Sequence, residues 1–264
     1  MDRRRLDEIA TAATVSPIEE EVEGWWCKAA PDLPFRRCNV TVPPADAAED
    51  RMRFVDGLDQ VRRWYHARGL RLIVQVSTAV PEWELVDAWC AAAGLDVEAP
   101  VHLMVAEDDP LCARSDAQAT DRVRVTAGID EAWALEYGEL HGGGPVQVAR
   151  TQAYGRMLAT LGDRALGASL AVDGQVVGVG FGVLDRGWLG IFGMATAPAH
   201  RRQGIATDVV WALRAAGRER GATRSYLQVE TDNAGAIALY EGLGFTISHG
   251  YHYRSERPAG GPGR

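Results

Sequence analysis

A chain of 264 residues, 47% apolar and 24% charged, can bury a substantial core as one large domain or two ordinary ones. Its formal net charge of −8 leaves no basic surplus to neutralise phosphates, which excludes nucleic acid as the main partner and suits an amine-bearing one. No stretch approaches the ~20 apolar residues of a membrane span, so no membrane partner is expected. The start, MDRRRLDEIATAATV, has arginines interrupted by acids and no apolar run, so the expected location is the cytoplasm.

In chain order, EGWWCKA (23–29) and RRCNVTVP (36–43) read as strands. RMRFVDGLDQVRRWYHARG (51–69) follows as a helix with its stop glycine. RLIVQVS continues as a strand, and PEWELVDAWCAAAG as a helix whose Pro81-Glu82 start is ordinary helix grammar. APVHLMVAE (99–107) closes this half as a strand. Cys27, Cys38, Cys90 and Cys112 form no CxxC and lie near no histidine at metal-ligand spacing, so buried free thiols and no metal are expected. Residues 107–121, EDDPLCARSDAQATD, are polar and without a period, the pattern of a linker.

The second half opens with a strand, RVRVTAG, then a helix, IDEAWALEYGEL, with Asp130 as its N-cap. The glycines of HGGGP stop that helix, and VQVARTQAYGRMLATLG is a second one ending at Gly162. ALGASLAVDGQVVGVGFGVL reads as a hairpin turning at Asp173-Gly174. GWLGIFGMATAP is a third strand, and IATDVVWALRAAGRERGA a helix with Ile205, Val209, Val210, Leu213 and Ala216 on one face. SYLQVET is a strand, NAGAIALYEGLG a short helix, and FTISHGYHYR one or two strands. The succession implies an α/β fold with a mixed sheet. The Gly- and Pro-rich residues 258–264 read as a disordered tail.

Between a strand and a helix stands HRRQGIAT (200–207). The backbone N–H groups of Gln203, Gly204, Ala206 and Thr207, around Ile205, are orphans of a helix start and form an anion site with the helix dipole. Arg201 and Arg202 add charge-assisted donors. The spacing is neither GxxxxGK[ST] nor GxGxxG, which excludes a P-loop and leaves a Rossmann site unsupported.

MATAPAHRRQGIA, LQVETDN and AIALYEGLGF, in this order, resemble the acyl-CoA-binding core of the GNAT superfamily of N-acetyltransferases. The family's RxxGxG/A loop corresponds to Arg201, Gly204 and Ala206. The resemblance implies acetyl-CoA as acyl donor, its pyrophosphate on the loop. It implies that Met194, Ala195 and Thr196 offer backbone groups to the pantetheine arm, with the Met194 amide facing the thioester carbonyl. It also implies two splayed central strands, Tyr240 as the acid beside the thioester sulfur, and a pantetheine contact from Asn233 and Ala236. Asn233 serves equally as a helix N-cap.

The base is less evident. GWLGIFGMATAP carries no carboxylate, so Glu230 is the candidate by topology, with Glu136 and Glu139 as groups that could steer an amine. The expected reaction is direct acetyl transfer to a small-molecule or peptide primary amine in a ternary complex. The alternative is an acyl-CoA sensor without turnover. A homodimer is left open.

The first half echoes the second: IVQV answers YLQV, and AAGL answers GLGF. Where a second loop would stand is PPADAAED (43–50), whose acids would repel phosphate. The expectation is therefore a tandem GNAT-like chain. Residues 1–106 would be a degenerate domain without a cofactor loop, and residues 122–257 the complete acetyltransferase.

Overall fold

The computed structural model describes residues 2–107, 121–142 and 145–257. The expected linker falls outside these from residue 108 to 120, as do Cys112 and the expected tail 258–264. The chain forms two compact units. One comprises Met1–Leu103, Glu230–Asp232 and Ser248–Arg264; the other comprises Met104–Val229 and Asn233–Ile247.

The first unit contains α1 (Arg3–Ala13), β1 (Ile18–Val22), β2 (Trp25–Ala29), β3 (Thr41–Val42), α2 (Arg51–His66), β4 (Ile73–Ser77) and α3 (Trp83–Ala92). Helix α1 has no counterpart among the elements expected from the sequence. Asp2 caps it by accepting from the Arg4 and Arg5 amides at 3.1 and 3.3 Å. Its Leu6, Ile9, Ala10 and Ala13 are buried, and at its C-terminal end the buried ammonium of Lys28 donates to the carbonyls of Thr11 and Thr14. RRCNVTVP departs from the expected strand. Arg36–Cys38 is a 3₁₀ turn, and only Thr41–Val42 is extended. The reason is Asn39, whose side chain accepts from Ala30 N–H at 2.8 Å and donates to the carbonyls of Leu33 and Phe35, folding the backbone around itself.

Strand β5 (Asp96–Glu107) begins in this unit, and the last strand of the chain, β11 (Thr246–Ser255), ends in it. The sheet order here is β1-β2-β3-β4-β11, with β3 and β4 parallel and Tyr251–Ser255 antiparallel to Ser77–Ile73. On α3, Asp87 takes Arg254 of β11 bidentately at 2.6 Å and His252 at 2.5 Å. Cys27, Cys38 and Cys90 are buried free thiols, and burial pushes the first two up to about 11 and the third to about 12.

The second unit contains β6 (Val123–Ala127), α4 (Glu131–Leu140), α5 (Pro145–Ala159), β7 (Ala165–Val172), β8 (Gln175–Asp185), β9 (Trp188–Thr196), α6 (Ile205–Glu219), β10 (Arg224–Glu230) and α7 (Ala234–Gly242). Asp130 caps α4 by accepting from Trp133 N–H at 2.7 Å. Asp173 and Gly174 both take positive φ in the β7–β8 turn, as the Asp-Gly pair requires. The order is β10-β9-β8-β7-β6, antiparallel except for the parallel β9–β10 pair. Helix α6 packs Ile205, Val209 and Leu213 on β8 so closely that a Cβ at Gly178 would stand 2.3 Å from Ile205 Cγ2.

The Asp87 pair has a testable consequence. Arg254 beside it holds its carboxyl below the usual carboxylate range. A depressed acid contributes stability that is present above its unfolded pKa and lost as pH falls through the folded one. Asp87→Ala should therefore cost about 1–3 kcal/mol in denaturant unfolding at pH 7, and the difference should shrink below about pH 4. Equal unfolding curves at pH 7 would show that the pair does not hold β11.

Candidate functional site

The second unit contains a place where its sheet comes apart. Strands β9 and β10 pair in parallel from Trp188/Arg224 to Ile191/Leu227, and the ladder stops there although both strands continue. On its other side β9 shifts register: Phe181 faces Phe192, and Val179 faces Ala195. Gly180 on β8 thus opposes both Gly193 and Met194, a β-bulge. Gly193 takes φ +60°, and a Cβ there would stand 2.8 Å from the Phe181 ring and 3.0 Å from Tyr137. Only glycine satisfies both demands. Behind the bulge the rings of Tyr137, Trp133, Phe181, Phe192 and Tyr226 follow one another at centroid distances of 5.1 to 5.9 Å.

Beyond the bulge, Met194, Ala195 and Thr196 form the end of β9, and only their β8 side is in register with a strand. On β10 the residue after the last paired position is Gln228, whose Oε1 is buried without a hydrogen-bond partner. His200 Nδ1, just before the loop, is likewise buried and unpartnered. Neither was singled out from the sequence. A glutamine inside a strand has no motif around it, and the end of a ladder is not legible in one strand alone.

The loop after β9 passes through a 3₁₀ turn at Pro198–His200 and enters α6 at Ile205. Arg202 takes φ +64° and Gly204 φ +81°. A left-handed arginine costs about 1–2 kcal/mol, so the surroundings impose this conformation. No side chain caps α6, so the amide donors of its first turn are left to a ligand or water. A Cβ at Gly204 would meet nothing within 4 Å, so the space in front of the helix is open. Arg201 and Arg202 are exposed beside it. Two left-handed residues at an uncapped helix start make an anion cradle.

Helix α7 begins at Asn233, whose Oδ1 accepts from Ala236 N–H at 3.1 Å. The N-cap role is thus filled, and the Asn233 side-chain amide donors are exposed. Tyr240 is 8% exposed and packs edge-on to Phe245, and its hydroxyl makes no hydrogen bond among the described residues. Burial raises its phenol above the ordinary value, so it stays protonated. The buried Arg214 of α6 donates to the Leu243 carbonyl at 3.0 Å, tying the C-terminal end of α7 to the helix that carries the cradle.

The carboxylates are less committed to chemistry. Glu230 is 53% exposed and pairs with Arg36 at 3.0 Å, within the first unit. Glu136 is held bidentately by Arg124 at 2.6 Å, which also reaches Ser169. Glu139 is exposed on α4.

A strand end open on one side and an uncapped helix start beside it can take an extended ligand with an anionic end. The model of the family described as "Probable histone acetyltransferase Rv0428c C-terminal" matches residues 2–254. The chain belongs to this family. Its relatives agree. An "Uncharacterized N-acetyltransferase YobR" from Bacillus subtilis is 23% identical over 260 residues, 97% of this chain and 99% of the relative. Among solved structures, a GCN5-related N-acetyltransferase from Kribbella flavida superposes with a TM-score of 0.69 at 15% identity, over 98% of this chain and 96% of that one. A tandem GNAT protein from the clavulanic acid biosynthesis pathway does so with a TM-score of 0.56 at 17% identity, over 79% and 70%. The chain is an N-acetyltransferase of mixed α/β, tandem GNAT-like fold. Among the described residues no helix is long and apolar enough to cross a membrane.

The bulge gives this family member a specific vulnerability. Gly193→Ala meets both the Phe181 ring and a positive φ, and should destabilise the enzyme by about 2–3 kcal/mol. An unchanged melting temperature would mean that the bulge relaxes without cost.

Proposed function

We propose that this N-acetyltransferase transfers an acetyl group from acetyl-CoA to a primary amine by direct attack, both substrates being bound together, and that residues 122–257 are its transferase domain. The observation that carries the reading is the uncapped start of α6, open in front of Gly204 and preceded by the end of β9, which β10 no longer pairs. The orphaned Gln228 Oε1 supports the fit, since an extended, amide-bearing arm entering beside it would supply the missing donor.

Bound acetyl-CoA supplies an activated thioester carbonyl. The backbone amides of Gln203, Gly204, Ile205, Ala206 and Thr207, with Arg201 and Arg202, hold its pyrophosphate. Met194, Ala195 and Thr196 align its amide arm as an added strand, and Met194 N–H stabilises negative charge on the thioester oxygen. Asn233 and Ala236 border the arm from α7. Glu230, the last residue of β10, takes the proton that the amine gives up, directly or through water. Tyr240 gives its proton to sulfur as the carbon–sulfur bond breaks and the carbon–nitrogen bond forms. The Arg36 pair draws Glu230 away from that role, and an acceptor amine of low pKa needs the carboxylate least.

In the first unit the corresponding helix start is closed. The Asp50 carboxylate accepts from the Met52 and Arg53 amides at 2.9 and 3.2 Å, so α2 begins on its own anion. This supports residues 1–106 as a degenerate GNAT-like domain without a pyrophosphate site. The acceptor is a small-molecule or peptide amine; the histone substrate class in the family's description falls within the latter.

Titration calorimetry with acetyl-CoA and a thiol-release assay over an amine panel test the reading. Binding with release for at least one amine is expected, and binding without release for any amine would favour a sensor. Gly204→Glu should weaken acetyl-CoA binding by at least about 100-fold, because charge and bulk enter the cradle. A normal dissociation constant would remove the cradle assignment. Tyr240→Phe should lower kcat by about 10- to 100-fold with little change in acetyl-CoA affinity, and an unchanged kcat would reject the acid role.

A further inference from the structure

The first unit holds a cavity of about 190 Å³ that the transferase chemistry does not use. It opens where β3 and β4 part. These strands share one register pair, Thr41↔Val74, and the cavity lies beyond it against Val42 and Gln75. Its apolar walls include Trp26, Val76, Val80 and Trp83, and α1 lies along it with Arg4, Asp7, Glu8 and Thr11. At roughly 20–30 Å³ per heavy atom, the volume admits a molecule of about six to ten such atoms.

The polar groups on its surface are few. Gln75 is 8% exposed, and its side-chain amide meets no hydrogen-bond partner among the described residues although it lines the cavity. That amide faces the cavity and is available to bond a ligand there. Asp7, also buried, accepts from His249 Nε2 at 2.8 Å and from Ser77 Oγ. Two bonds leave part of a carboxylate's acceptor capacity unused.

The sign of the ligand follows from the charges around it. Arg4 and Glu8 pair with one another at 3.8 Å, so they largely cancel. Lys28 lies nearby over the Trp26 ring, but its ammonium is spent on the Thr11 and Thr14 carbonyls and on Glu19 at 3.7 Å. His249 faces Asp7 without lining the cavity. What remains facing the interior is the Asp7 carboxylate, the Gln75 amide and aromatic walls. An anion would meet Asp7; an ammonium meets a carboxylate, an amide oxygen and indole rings that favour cations.

We propose that this cavity is a second ligand site, taking a small protonated amine with an apolar or aromatic body, the ammonium between Asp7 and Gln75 and the body between Val76, Val80 and Trp83.

The test is titration of the full chain, without acyl donor, with 2-phenylethylamine and with 3-phenylpropionate, followed by calorimetry and tryptophan fluorescence. The expected result is saturable one-site binding of the amine, with the carboxylate at least ten-fold weaker. Val80→Trp, on the half-buried rim, should weaken the amine at least ten-fold without lowering the melting temperature, because the new ring fills the cavity. Asp7→Asn should erase the preference for the amine over the carboxylate, and Gln75→Leu should weaken the amine several-fold. Equal binding of the two probes, no binding of the amine, or amine binding unchanged in Val80→Trp would each overturn the proposal. The last outcome would place the amine elsewhere, as at an acceptor site. Because the measurement uses no acyl donor, its failure leaves the acetyl-transfer reading standing.

Discussion

The end of the β9–β10 ladder at Ile191/Leu227 governs the rest of the second unit. Two parallel strands that stay paired would present no free backbone groups, and nothing extended could lie between them. The bulge at Gly193–Met194 makes the separation possible, because two residues of β9 share one partner on β8 and the strand bends there. The bulge depends in turn on the aromatic rings behind it, since Phe181 and Tyr137 occupy the space a side chain at residue 193 would need. The aromatic core therefore sets the path of the strand, and the strand sets the opening.

The parted strands become useful because α6 starts where β9 ends. Helix α6 is fixed along its length by Ile205, Val209 and Leu213 on β8, and Arg214 ties it to the end of α7. Ile205 anchors the first turn by its side chain, while the backbone amides of that turn have no side-chain cap and the loop before them carries a left-handed Arg202. Stability comes from the buried face of the helix, and the first backbone amides are not used by it. Tyr240 shows the same division: its ring is core, and its hydroxyl makes no bond that holds the fold together.

Much of this was legible in the sequence where the cause is local. Asp-Gly announces the β7–β8 turn, Asp130 the start of α4, and RRQGIA the helix start that lacks a cap. Long-range causes were not legible. Nothing near MDRRRLDEIA indicates that α1 is held by Lys28 and His249, one of them 242 positions from its partner Asp7. RRCNVTVP has the composition of a strand, and the bonds of Asn39 decide otherwise. The bulge and the orphaned Gln228 depend on how neighbouring strands align, information that no single segment contains.

The two units also differ through single side chains at comparable places. Each has a parallel strand pair that parts early, followed in each by a helix entered from the first strand. In one, Gly204 leaves the helix start open to an anion; in the other, Asp50 supplies an anion from within. The Asp50 carboxylate takes the amides of Met52 and Arg53 and thereby stabilises the start of α2. The gap between β3 and β4 remains beside it, lined by Gln75. A capped helix start and an open gap between strands can thus stand side by side, and α1, which brings Asp7 to that gap, sets its charge.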